Sequence, residues 1–228
     1  MPMDAVIFDL DGLLADTERL HHRAYQEALG RHGVTLTEEE YSEHWIRCGL
    51  GIVPFIEKHG LDIKAEVIRQ AKAEAYRRLV ERTCRPMPGA IEALKRLRGK
   101  KALALASSAY PDAVAAVAGA LGIRFFFDAV VTQGDVKRVK PWPDLFLLAA
   151  ERLKKEAGRC VVVEDAEKGV RAAHAAGMFC VAVPNDHTRG NDFSLADRVL
   201  SSLDELTVEC VDGLGKRGSC RLPPFAPC

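Results

Sequence analysis

Four short polar stretches, each directly after an apolar run, hold the side chains best suited to chemistry. They are Asp9 and Asp11 in FDLDG, Ser107 in LALASSA, Lys140 in VKRVKPWPDLF, and Glu164 with Asp165 in CVVVEDAEKG. The Asp-x-Asp spacing points both carboxylates of the first stretch to one face of an extended chain. Two acids that close repel unless a cation or a shared proton relieves them. A hard divalent ion with oxygen ligands would do so, and magnesium is the usual choice beside phosphate. Ser107 brings a hydroxyl and free backbone N–H groups to a junction before a helix opened by Pro111, an arrangement that can cradle phosphate or simply cap the helix. Lys140 can neutralise both phosphate and carboxylate, although an isolated lysine is more often a solvated surface charge. Glu164 and Asp165 are adjacent, so both can aim at one site only where a strand ends, and an N-cap role for Asp165 is the competing reading. Four such groups, each after a buried strand of one sheet, would converge on a single rim.

The elements that must position them follow from the hydrophobic pattern. Ala5 to Leu10 is an apolar run with a β-branched centre, interrupted only by Asp9, as a strand buried on both faces would be. A helical pattern opens at Asp16 or Thr17, either of which can N-cap, and runs to Gly33, a good stop. The text then stays helical to about Arg85, with breaks near Gly49 to Pro54 and Gly60 to Asp62 and no strand signal. After Arg85-Pro86-Met87-Pro88-Gly89 the character changes. Helices are expected at Ala90 to Arg98, Asp112 to Leu121, Pro143 to Lys155 and Glu167 to Ala176. Each precedes a short apolar strand, at Ala102 to Ala106, Ala129 to Thr132, Cys160 to Val163 and Phe179 to Val183, with a last one near Arg198 to Leu200. Such alternation predicts an α/β fold, a Rossmann-like parallel sheet covered by helices. The expected organisation is a core of residues 1–15 and 86–212, an all-helical insertion of residues 16–85, and a flexible tail of residues 213–228, rich in Gly and Pro. The insertion leaves directly after the first strand, and ligands of open parallel sheets bind beyond the strands' carboxyl ends, so it is expected to act as a lid.

Composition narrows the partners. Thirty-two basic residues balance thirty-two acidic ones, so no net field draws the molecule to nucleic acid or an anionic membrane. The opening MPMDAVIFDLDG lacks the basic start and small-residue cleavage pattern of a signal peptide, and no apolar run reaches the length of a membrane span. The seven cysteines are scattered, with neither a CxxC pair nor zinc spacing, and read as reduced structural thiols, Cys160 and Cys180 being core. A cytoplasmic protein, monomer or weak dimer, is expected. Among lesser candidates, His21 and His22 lie early in the insertion, where His21 is either a solvated or core-edge residue or a group facing the site. Tyr25 and Trp45 read as core of the insertion, and Asp144 as a first-turn helix charge.

The stretches FDLDGLLADTE, LASSA, KPWPDLF, VVVEDAEKGV and VPNDHTRGNDFSLAD, in this order and spacing, resemble the haloacid dehalogenase superfamily. Within it they are similar to the branch of β-phosphoglucomutase and sugar-phosphate phosphatases, over the chain from Asp4 to about Leu206. The resemblance implies that Asp9 is the nucleophile and Asp11 the general acid/base, and that Ser107 and Lys140 hold phosphate. It implies Mg2+ bound by Asp9, Asp11 through its backbone carbonyl, and Asp165, with Glu164 as a further ligand or neighbour. The expected activity is hydrolysis of a small phosphorylated metabolite, probed against a phosphomutase and a catalytically silent binding protein as alternatives. Dehalogenation needs neither a metal nor a second acid, so Asp11 and Asp165 argue against it. A mutase needs a fixed cation in the insertion to hold a second phosphate. In the turn from Cys48 to Phe55 that place falls at Ile52 or a neighbour, with Arg47 and Lys58 as the nearest substitutes.

Overall fold

The computed structural model describes residues 1–215. Strand β1 (Ala5–Phe8) opens the chain and is buried throughout. A helical stretch follows: α1 (Glu18–Gly30), α2 (Glu38–Tyr41) running into a π-helical turn at Ser42–Arg47, α3 (Ile52–Lys58) and α4 (Ala65–Thr83). The remainder alternates: α5 (Ala90–Leu97), β2 (Ala102–Ala106), α6 (Pro111–Ala120), β3 (Ala129–Val131), α7 (Asp144–Leu153), β4 (Cys160–Glu164), α8 (Glu167–Ala175), β5 (Phe179–Ala182), β6 (Arg198–Val199) and α9 (Val208–Leu214). By internal contacts the chain divides into two compact units, residues 1–15 with those from Pro86 onward, and Asp16–Arg85.

In the first unit the six strands form one parallel sheet of order β3-β2-β1-β4-β5-β6. The order reverses at β1, and that switch point is where open α/β sheets bind ligands. Side chains alternate between faces with a period of two. Ala5 and Ile7, Ala104 and Ala106, and Cys160 and Val162 therefore share one face, where they pack with Leu145 and Phe146 of α7 and Val170 and Ala173 of α8. Covering by helices keeps both faces dry, which is why these strands read as unbroken apolar runs.

The second unit is helical, as its pattern predicts. Leu29, Leu36, Tyr41, Ile52, Phe55 and Ile68 form its core, with Tyr25 and Trp45 packed against it. Two details differ from expectation. Thr17 takes the N-cap position of α1 but its side chain makes no capping bond, because its backbone is already near-helical (φ −104°, ψ −20°). The break expected to reach Pro54 ends earlier, at Ile52: proline in a first helical turn lacks only an N–H that would have no helical partner. At the C-terminus, α9 continues to Leu214 rather than stopping at residue 212, since the Leu214 side chain is buried. The rest of the expected tail lies outside the described residues.

Candidate active site

Register brings the chemistry together. Phe8 pairs with Leu105 on one side and Val163 on the other. The next residues along, Asp9, Ala106 and Glu164, therefore stand level, on the face covered by α7 and α8. Lys140, in the loop leading into α7, reaches all three. Its ammonium donates to Asp9 Oδ1, to Ala106 O at 2.9 Å and to Glu164 Oε1 at 2.6 Å. All three of its N–H bonds are thereby used, and its charge lies 4.9 Å from the centre of the Phe146 ring. The surface reading of Lys140 is corrected: it is only 6% exposed, because the loop before α7 folds back over the strand ends.

Ser107 is fully buried and donates from Oγ to Asp11 Oδ2 at 3.2 Å, while accepting the Ala109 N–H at 3.0 Å. It does not cap a helix, since α6 begins at Pro111 with Tyr110 as its N-cap. Nor does Asp165 cap α8, whose N-cap is Ala166. The Glu167 N–H is taken instead by Asn191 Oδ1 at 3.0 Å. Asp9, Glu164 and Asp165 each offer a carboxylate oxygen, and these lie within 4.8 Å of one another, all three residues buried. The Asp11 side chain is not in this cluster; its Oδ2 accepts from Ser107 instead.

Three buried carboxylates, those of Asp9, Glu164 and Asp165, thus cluster beside one ammonium, which bonds the first two. Burial pushes the pKa of Asp9 up to about 7; the charge of Lys140 opposes this, and those of Glu164 and Asp11 add to it. Burial alone would lower the pKa of Lys140, yet Asp9 and Glu164 outweigh it and hold the amine above its usual range. This surplus of buried negative charge, on oxygen donors, fits a hard divalent cation.

Gly169, which sequence reasoning did not single out, makes room for Glu164. A Cβ built there would stand 1.8 Å from Glu164 Cδ and 2.0 Å from its Oε1. We expect Gly169→Ala to drive the Glu164 carboxylate off Lys140, destabilising the fold by about 1–3 kcal/mol as overpacking does and lowering kcat. Thermal melts and steady-state assays check this, and a variant matching the native protein in both would show that the carboxylate has room elsewhere.

In the helical unit, His21 stacks on Tyr76 with ring centres 4.2 Å apart, and its Nδ1 lies 2.8 Å from Lys72 Nζ. The ring is half-buried, at the edge of that unit's core. Asp144 lies in the first turn of α7 and holds Arg138 through both carboxylate oxygens, at 3.1 and 3.0 Å.

An aspartate thus stands at the switch point of a parallel sheet, with a buried lysine and two further acids around it. The family model for haloacid dehalogenase-like hydrolases matches residues 3–177, and the chain belongs to that family, in the branch of sugar-phosphate phosphatases and β-phosphoglucomutase-like proteins. It is an enzyme, a phosphoric monoester hydrolase by family. The fructose-1-phosphate phosphatase YqaB of Escherichia coli (strain K12) is 36% identical over 183 residues, covering 78% of this chain and 95% of its own. A crystal structure of a variant of CbbY from Rhodobacter sphaeroides in complex with xylulose-(1,5)bisphosphate superposes with a TM-score of 0.80 at 31% identity, covering 90% of this chain and 96% of that one. A putative β-phosphoglucomutase from Thermotoga maritima gives a TM-score of 0.74 at 28% identity, covering 94% and 100%.

Proposed function

We propose that this protein is a magnesium-dependent phosphatase that hydrolyses a small sugar phosphate through an aspartyl-phosphate on Asp9. The observation that carries the reading is the meeting of Asp9, Lys140, Glu164 and Asp165 at the strand ends. A carboxylate oxygen of Asp9 attacks phosphorus and the bond to the leaving oxygen breaks, as Asp11 delivers a proton to that oxygen. Asp11, now ionised, takes a proton from the water that cleaves the acyl phosphate, restoring Asp9 and releasing inorganic phosphate. Ser107 exchanges Asp11 for a phosphate oxygen, and Lys140 shares its charge between Asp9 and the transferring group. Asp9, Asp165 and the Asp11 backbone carbonyl, with Glu164 beside them, would hold magnesium, which when bound would supply charge neutralisation on that group. Residues 16–85 serve as the cap, inserted directly after the loop that bears Asp9 and Asp11. No helix among the described residues is long and apolar enough to cross a membrane. Five described cysteines, Cys48, Cys84, Cys160, Cys180 and Cys210, are free thiols, which suits a reducing cytoplasm.

Water, rather than a second sugar phosphate, is the acceptor. Ile52, at the place of a mutase's arginine, is 3% exposed and sits in the apolar core of the helical unit. Arg47 is paired with Glu43 at 2.5 Å, and Lys58 lies 3.8 Å from Glu40, both on the surface. We expect release of inorganic phosphate from an aryl phosphate to fall about a hundredfold or more in chelator, the scale of a metal's contribution to charge stabilisation. Undiminished turnover by demetallated protein would end the magnesium assignment. In a panel including fructose 1-phosphate, xylulose 1,5-bisphosphate and hexose 1-phosphates, phosphate release should dominate. Faster conversion of a hexose 1-phosphate to its 6-phosphate would favour the mutase reading.

A further inference from the structure

The stretch Val183-Pro184-Asn185-Asp186-His187-Thr188 resembles the family, yet the mechanism above gives it no task. It leaves β5 beside the loop that carries Asp165, since Ala182 pairs with Glu164 and the Val183 N–H donates to Glu164 O at 2.7 Å. The Asn185 side-chain amide donates to Gly12 O at 2.9 Å and to Asp165 Oδ2 at 2.8 Å. Its Oδ1 accepts the His187 N–H at 2.8 Å, which fixes which end of the amide is which. The Asn185 N–H donates to Thr188 Oγ1 at 3.0 Å, and Thr188 is 4% exposed. Both amide protons and the amide oxygen are thus engaged, so the side chain has one orientation. Gly12 makes the approach possible. Its φ is +78°, and a Cβ there would stand 2.5 Å from Asp165 Oδ2 and 2.8 Å from Asn185 Nδ2.

We propose that Asn185 is a positioning residue that ties the loop after β1, at Gly12, to the Asp165 carboxylate and so presets the metal site; the inference rests on the magnesium reading. A neutral amide suits the task, because it fixes the carboxylate without adding charge to a cluster that already holds three acids. An aspartate there would add a fourth. Partners that orient metal ligands typically change metal affinity 10–100-fold when removed. Thr188 acts one step further out, by holding the Asn185 backbone.

Calorimetric titration of the full chain with Mg2+ alone tests this, alongside thermal melts in chelator. We expect Asn185→Ala to weaken Mg2+ binding by about tenfold or more, with much of kcat recovered at saturating Mg2+. Thr188→Val should weaken binding in the same direction but less, and Thr188→Ser should bind as the native protein does. A purely structural role would lower the melting temperature in chelator and leave Mg2+ affinity unchanged, and that result overturns the inference. Should Asn185→Ala fail to fold, Thr188→Val decides: native Mg2+ affinity in that variant also overturns it. Absence of Mg2+ binding by the native protein would instead remove the magnesium reading, and the positioning role with it.

Discussion

Asp9→Asn is expected to end turnover, with kcat falling on the order of 10^5-fold or more, the scale seen when a covalent nucleophile is removed. The amide cannot form an acyl phosphate, yet its oxygen can still accept the Lys140 proton, so the fold should survive. In the absence of metal it should even be strengthened. Burial raises the Asp9 pKa from the carboxylate range up to about 7, so the folded protein holds a proton that the unfolded chain has lost. The stabilising contribution of that proton is complete below the unfolded pKa and fades as pH rises through about 7. Metal-free native protein should therefore lose stability between about pH 4 and pH 8, while Asp9→Asn lacks this component. At pH 8 in chelator the variant should melt roughly 3 °C or more above the native protein, the shift that about 1 kcal/mol produces in a chain of this size. Added Mg2+ should narrow the gap by binding the native protein. Turnover within tenfold of native, in protein shown by mass to carry the amide, would place the nucleophile elsewhere.

What the sequence disclosed about this site, and what it did not, follows from how far apart the partners lie. β1, β2, β4 and β5 are short β-branched or alanine-rich apolar runs, and their boundaries fall within two residues of the structure. Asp9, Ser107, Glu164 and Asp165 inherit their level from those strands, so the pattern that marked the strands also marked them. Lys140 lies in a polar loop whose own composition is that of any surface turn. Its burial is decided by carboxylates 131 and 24 residues away. Gly169 and Asn185 were less legible still. A glycine in an alanine-rich helix gives no sign that a carboxylate occupies its missing side chain. An asparagine in a turn reads first as turn chemistry, and its link to Gly12 spans 173 residues. Local propensity locates elements, whereas side-chain partners across the sheet depend on strand order.

The same charge arithmetic makes Lys140→Met the substitution with the largest expected effect on stability. Methionine matches much of the lysine's length and keeps contact with Phe146, so lost packing contributes little. What is lost is the one cation that bonds both Asp9 and Glu164, each almost wholly buried. Removing one partner of a buried ion pair costs about 3–5 kcal/mol, because the other charge stays buried without compensation. In chelator at pH 8 the melting temperature should fall by roughly 10 °C, and at saturating Mg2+ by less, since a bound cation replaces part of the missing charge. Turnover should drop by about 10^2–10^3 even at saturating Mg2+, as when a single donor to transition-state charge is deleted. The decisive measurement is a double-mutant cycle with Glu164→Gln. If the lysine's role is to neutralise these carboxylates, the double variant should be more stable than the two single losses predict, by about 1–3 kcal/mol of coupling. Strictly additive losses would show that Lys140 and Glu164 act separately, and that the fold tolerates the acidic cluster without its ammonium.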